Sequence, residues 1–293
     1  MKTATLLMLL SIFSCKAPKT STENTDQTST DSSALAAAYT GTNPFGILVN
    51  IADGIPPGLD KKLSVAKDLG VPYIRSTMAL TGGTINYNEY RAFESNGFKV
   101  ILNINYARQL MDGKTQIRSA PTNIPEYKLL LTNAVADIKP ELVAIENEEN
   151  NLFYYNVNPQ AYLKELGAAI EVLHAKGIKV TNGGIVSRTI LLLVYEDYLT
   201  RGLKKEAADY ASRAMIQDLT NDFPGLQKHK IIQKQMSMIK QLLEGYRKLP
   251  LDYVNFHWYE PVSGRGASQA QENIKTIDTR LSRRRGGSRH RLT

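Results

Sequence analysis

The 293-residue chain is long enough for one large domain, and its single cysteine, Cys15, excludes an intrachain disulfide. The formal net charge of +8 suggests a basic protein, but the final stretch "RLSRRRGGSRHRLT" holds six arginines (Arg280, Arg283, Arg284, Arg285, Arg289, Arg291) and no acid, so the remainder carries only +2. The domain itself is nearly balanced, which argues against a nucleic-acid partner.

The first residues do not belong to the domain. Lys2 precedes a short apolar run, Leu6 to Phe13, then Ser14 and Cys15, the layout of a secretory signal. The run is too short to span a bilayer. "SIFSC" resembles the lipobox of bacterial lipoproteins, which implies cleavage after Ser14, lipidation of Cys15 and a secreted, membrane-anchored protein in the periplasm or on the outer surface. An ordinary signal peptide with an incidental cysteine is the alternative. Residues 16–38 include "TSTENTDQTSTDSS", without an aromatic or aliphatic side chain. Such a segment cannot bury enough surface to offset its ordering entropy, and it suits a flexible tether. Residues 39–280 are then the folded domain and 281–293 a basic tail.

Strand and helix signals alternate along the domain. A strand is expected over 43–51. A helix follows over 59–70, with Leu59, Leu63, Ala66 and Leu69 on its buried side and Gly70 as its stop. Further strands are expected at 71–78, 98–106, 141–149, 178–185 and 251–261. The intervening helices are expected at 86–96, 125–138 and 159–176, with two long stretches at 189–219 and 229–249. The strands are near-continuously apolar, as strands of a parallel sheet covered by helices are. Neither a phosphate loop nor a dinucleotide-binding glycine pattern is present, and Gly183-Gly184 is an isolated pair. The class expected is α/β, a TIM (β/α)8-type barrel with about six βα units recognisable.

In such a barrel, chemistry sits at the carboxyl ends of the strands. Polar residues gather there: Arg75 closes strand two, Asn103 and Asn105 close strand three, Asn147 and Glu148 strand four, Asn182 strand five, and His257 and Tyr259 strand six. The fourth end is the densest. "LVAIENEENN" runs from an apolar strand into Glu146, Asn147, Glu148 and Glu149, although close like charges raise one another's pKa. Strand alternation would send Glu146 and Glu148 to one side and Glu149 to the other. A deeper Glu146 would need a partner such as Arg75.

The ordered set Arg75 in "YIRS", Asn147-Glu148 in "IENEEN", and His257 with Tyr259 in "NFHWYEP" resembles the clan-A glycoside hydrolases, retaining βα-barrel enzymes, over roughly residues 43–261. The resemblance implies that Glu148 is the acid/base and that Asn147 binds the 2-hydroxyl of the sugar. Arg75, His257, Tyr259, Trp258 and Asn105 would complete the glycan-binding rim, with no cofactor and no metal. Glu149 departs from the pattern, standing where the family often has proline, as do the asparagines of strand three where some members have histidine. Simpler roles compete: a solvated loop acid for Glu148, a core ion pair for Arg75, a structural imidazole for His257, packing for Trp258, and a calcium site from Glu146, Glu148 and Glu149.

Retaining hydrolysis needs a second carboxyl about 5–5.5 Å from the first, and the resemblance implies a glutamate ending strand seven. After "SQAQENIKTIDTRL" comes "SRRRGGSRHRLT", with neither an apolar strand nor a carboxylate. The change in composition reads like translation in a shifted frame, with a natural basic tail as the alternative. The expectation is a glycan-acting, glycosidase-like protein, inactive as written, or else a non-catalytic glycan-binding or structural surface lipoprotein.

Overall fold

The computed structural model describes residues 46–48, 58–82, 85–107, 120–151, 155, 158–213, 225, 228–257, 265–282 and 291–292, all within the compact unit formed by residues 38–293. Cys15, the tether, Trp258, Tyr259 and Glu260 lie outside the described residues.

Five strands, β1 (Gly46–Leu48), β2 (Tyr73–Thr81), β3 (Lys99–Ala107), β4 (Leu142–Ile145) and β5 (Lys179–Asn182), form one parallel sheet in strict chain order. The helices α1 (Leu59–Asp68), α2 (Tyr87–Ser95), α3 (Ile124–Ala134) and α4 (Pro159–His174) alternate with them. A doubly wound sheet reverses its strand order at a switch point. Here the order never reverses, so right-handed crossovers carry every helix to the same face and the strands advance around a barrel wall. The fold is α/β, part of a TIM-type barrel.

Local chemistry sets the element ends. Asn123 and Asn158 cap α3 and α4 by accepting the backbone N–H groups of Glu126 and Ala161, and a proline follows each cap in the first turn. The buried side of α1 differs from the apolar spacing. Ala66 and Lys62 are buried, the latter ion-paired with Glu89 at 2.8 Å, while Leu69 is 57% exposed. The helix ends at Asp68, which leaves Leu69 outside the stripe. The long helical stretch after β5 also divides, into α5 (Ser187–Thr200) and α6 (Lys204–Arg213). Gly202, at φ +77°, takes the left-handed turn that ends α5.

The fifth and sixth expected strands are both interrupted. β5 stops at Asn182 and resumes as β6 (Ile185–Val186), while the segment after α7 (Lys230–Tyr246) forms β7 (Tyr253–Val254) and β8 (Phe256–His257). β6 and β8 pair in parallel. The side chain of Asn182 replaces the missing ladder bonds: its Oδ1 accepts Asn255 N–H at 2.6 Å, and its Nδ2 donates to Asn255 O at 2.8 Å. After α8 (Arg265–Ser282), Arg291–Leu292 forms β9, parallel to β7. The basic tail therefore contributes a short strand after the sixth, which its composition did not suggest.

Tyr162 on α4 ties these parts together. Its buried hydroxyl donates to Ile145 O at 3.0 Å and accepts Gly183 N–H at 3.1 Å, linking the end of β4 to the break after β5. Its ring packs edge-on against Tyr155 and Tyr246. Replacing it by Phe removes the hydroxyl and leaves a buried C=O and N–H unsatisfied. We expect Tyr162→Phe to lower the unfolding free energy by about 1–3 kcal/mol, read as a lower urea midpoint at unchanged slope.

Candidate active site

β4 ends at Ile145, and the five following residues form a turn in which each polar side chain takes a separate direction. Glu146 and Glu148 both adopt left-handed backbone, at φ +64° and +50°. This conformation is uncommon for residues other than glycine and costs of order 1–3 kcal/mol each. It also corrects the expectation from strand alternation, because pleating no longer governs residues 146–149.

Glu146 is fully buried. Its Oε1 accepts Tyr106 N–H from β3 at 2.6 Å, and its charge adds to the burial that pushes the Glu165 carboxyl on α4 well above its ordinary range. Asn103, also buried, donates to the carbonyl oxygens of Ala144 and Glu146 at 3.3 and 2.6 Å, fixing the start of the turn. Glu149 turns toward α7, where Oε1 accepts from Asn182 Nδ2 at 2.7 Å and from the Tyr246 hydroxyl. Its other oxygen is buried without a hydrogen-bond partner among the described residues. Burial pushes the Glu149 carboxyl above its ordinary 4.5, against the opposing pull of those two donors. Asn150 accepts Val186 N–H and donates to the Thr189 hydroxyl.

Glu148 is the member of the turn aimed at the other strand ends. Its Oε1 lies 2.9 Å from His257 Nδ1, and its Oε2 accepts from Asn151 Nδ2 at 2.7 Å. Arg75 Nη1 lies 3.2 Å from His257 Nε2, and its Nη2 donates to Asn147 Oδ1 at 3.5 Å. A guanidinium has no acceptor, so the Arg75 contact requires a lone pair on Nε2. The imidazole proton then sits on Nδ1 and is donated to Glu148. Arg75, His257 and Glu148 form one directed chain of hydrogen bonds across β2, β8 and the turn after β4.

The structure therefore brings together Arg75, Asn147, Glu148 and His257. Asn105 lies on β3 and is buried, at 2% exposure. Trp258 and Tyr259 fall outside the described residues. No group of three His, Cys, Asp or Glu side chains among the described residues could hold a metal ion, because the acids proposed for calcium diverge. The interruption at Gly183 and Gly184 also serves the site. A Cβ on Gly183 would stand 2.6 Å from Glu146 O, and one on Gly184 2.4 Å from His257 Nε2. Only glycines let the turn and the imidazole approach this closely.

Sequence reasoning missed Glu165, Tyr155, Asn151 and Tyr246. Glu165 carried a readable signal. It lies three residues after Tyr162 and one before Leu166, on the buried face of α4, where an acid needs a partner.

No protein-family model and no curated protein matches the chain. Similar solved structures include a GH128 (subgroup I) endo-beta-1,3-glucanase from Amycolatopsis mediterranei in complex with laminarihexaose, at 12% identity and TM-score 0.40 over 81% of this chain. A structure from a study of two fungal beta-1,4-galactanases gives 14% and 0.42 over 76%. An AP endonuclease, family 2, from Brucella melitensis gives 10% and 0.37 over 80% of this chain and 86% of its own. The chain spans 66% of the glucanase and 62% of the galactanase. Overlap this low assigns no activity.

Glu149 and Glu165 both ionise above the ordinary carboxyl value of 4.5, so between 4.5 and their folded values the native state binds more protons than the unfolded chain. Stability is then greatest below about pH 4.5 for these groups and is lost as pH rises through their folded values, by up to about 1.4 kcal/mol per pH unit for each. The expected result is a urea midpoint that falls as pH rises above about 4.5, with a shallower fall in Glu149→Gln. An equally steep fall in that variant would show that Glu149 does not carry its share.

Proposed function

We propose that this chain is a secreted, lipid-anchored protein of the retaining glycoside hydrolase type, with Glu148 as acid/base. The observation that carries this reading is the hydrogen-bonded series Asn147–Arg75–His257–Glu148, which joins β2, the end of β8 and the turn after β4. Glu148 is nearly buried yet linked by hydrogen bonds to groups that a sugar's hydroxyls could replace. Asn147 would meet the 2-hydroxyl, and Arg75 and His257 would hold the ring against Glu148, with Tyr259 and Trp258 completing the rim. The protonated acid would give its proton to the leaving oxygen.

The second half of a retaining displacement needs an attacking carboxylate across the sugar. Glu146 and Glu149, the acids nearest in sequence, both turn into buried pockets. The chain as given therefore holds glycans without turning them over. A collection of aryl glycosides should show no hydrolysis above the uncatalysed rate, and robust turnover would overturn the assignment of roles. Glycan binding by calorimetry should weaken about tenfold in Asn147→Ala, the loss of one hydrogen bond worth about 1.4 kcal/mol. Unchanged affinity across the rim variants Asn147→Ala and Arg75→Ala would remove the glycan reading.

The anchor rests on the sequence alone. Cys15→Ser should abolish incorporation of labelled fatty acid and release the protein from membranes. Unaltered partitioning of that variant would sink the lipoprotein assignment.

A further inference from the structure

Behind the contact between Glu148 and His257 lies a second connection between the same two segments of chain. It runs through Asn182, the last residue of β5, which has no exposure to solvent. The Asn182 carboxamide makes both bonds that a ladder partner would make with Asn255. Its Oδ1 accepts Asn255 N–H at 2.6 Å, and its Nδ2 donates to Asn255 O at 2.8 Å. The Thr181 hydroxyl also donates to Oδ1, at 3.3 Å, and the second hydrogen of Nδ2 goes to Glu149 Oε1 at 2.7 Å. Oδ1 thus meets only donors and Nδ2 only acceptors. A flipped amide would set like against like in a buried place, so Glu149 and Asn255 together hold one orientation.

This clamp reaches the candidate site from both sides. Glu149 is the residue after Glu148, and Asn255 stands two residues before His257. Gly184 likewise stands two residues after Asn182, and the two downstream residues meet: a Cβ on Gly184 would lie 2.4 Å from His257 Nε2. Beyond the clamp the ladder resumes, with Ile185 N–H donating to Asn255 O at 3.1 Å and Val186 paired with His257. The spacing of Asn182 and Asn255 therefore sets where the imidazole stands. We propose that Asn182 is a positioning residue for His257, that Glu149 orients its carboxamide, and that this clamp holds the imidazole where Nδ1 donates to Glu148. The inference deepens the acid/base reading of Glu148 and takes its functional meaning from it, although the bonds of the clamp do not depend on it. Tyr246 on α7 anchors the far side by donating to the same Glu149 Oε1. That oxygen remains an acceptor whether or not Oε2 carries a proton, so the clamp needs no particular charge on Glu149.

The test uses the full chain, isotopically labelled at the histidine nitrogens. Long-range proton–nitrogen NMR spectra at mildly alkaline pH distinguish the two neutral tautomers, and the His257 signal is the one lost in His257→Gln. The parent should hold His257 as the Nδ1–H tautomer that its contacts with Arg75 and Glu148 require. Asn182→Leu should lose at least half of that population. His174, bonded to Asp252 at the other end of the same strand junction, should keep its signal. Glu149→Leu should act as Asn182→Leu does, and Glu149→Gln, which keeps an acceptor oxygen for Asn182, should match the parent. A parent without the Nδ1–H tautomer, or a parent-like His257 in Asn182→Leu, would overturn the proposal. So would equal disturbance in Glu149→Gln and Glu149→Leu. If the leucine variants fail to fold, Asn182→Asp decides: it keeps the acceptor for Asn255 N–H, loses both donated bonds, and should show the same loss of tautomer. The parent supplies a further check, since the Asn182 carboxamide hydrogens should exchange with water at least about a hundredfold slower than those of an exposed asparagine; free exchange would remove the clamp. None of these readouts involves a sugar. A chain that passes them but binds no glycan would lose the acid/base reading and keep the clamp, whereas a glycan binder with an undisturbed His257 would do the reverse.

Discussion

The constraint on which the rest depends is the burial of Glu146, Glu148 and Glu149 within four residues of chain. Three unsolvated carboxylates so close together would not coexist with a stable fold. The molecule resolves this by divergence. Each acid enters a different pocket with its own donors, among them a β3 amide for Glu146, His257 and Asn151 for Glu148, and Asn182 and Tyr246 for Glu149. That arrangement requires helical geometry in the wrong hand at two non-glycine residues. It also requires glycines at 183 and 184, where the neighbouring strand passes too close for a Cβ.

The surrounding architecture follows from it. β4 is only four residues long because the chain must leave the sheet at Ile145 to open the turn. β5 breaks after Asn182, whose side chain then serves both Glu149 and the backbone of Asn255. Tyr155, before α4, and Tyr246, on α7, point inward to supply hydroxyls to Glu165 and Glu149, which a purely apolar core would leave stranded. Protonation is part of the solution: burial favours the neutral form of Glu149 and Glu165 and so limits the number of charges held inside.

Much of this was legible in the sequence, and the reason is geometric. Strand ends of a βα barrel converge, so Asn147, Glu148 and His257 could be grouped without knowing any distance between them, whereas Arg75 lies near the start of β2 and joins them through its long side chain. The alternation of apolar runs and amphipathic segments likewise carried the class of fold. What failed was everything that depends on local departure from regularity. Pleating was extended through Glu149, but the left-handed residues cancel it. Leu69 was assigned to the core because its spacing fits, whereas the helix stops one residue short. Glu165 was invisible to a reading confined to strand ends, since it reaches the turn from the helix behind it. The β9 pairing of Arg291–Leu292 could not be inferred from residues so poor in apolar character.

The span of the site's contacts bears on how the protein folds. Arg75 and His257 are separated by 182 residues, and Glu148 and His257 by 109. The strand pairs from β1 to β5 each join neighbours in the chain. Closing a loop costs entropy that grows with its length, roughly 0.6 kcal/mol per doubling, and contacts distant in sequence form slowly for that reason. The sheet can therefore accrete unit by unit as the polypeptide emerges, whereas the Arg75–His257–Glu148 chain must await the arrival of β8. Until then the acid-bearing turn stands exposed at an open edge. A partly synthesised or kinetically trapped form would possess most of the wall and none of the site, so the site's assembly comes after that of the five-stranded sheet.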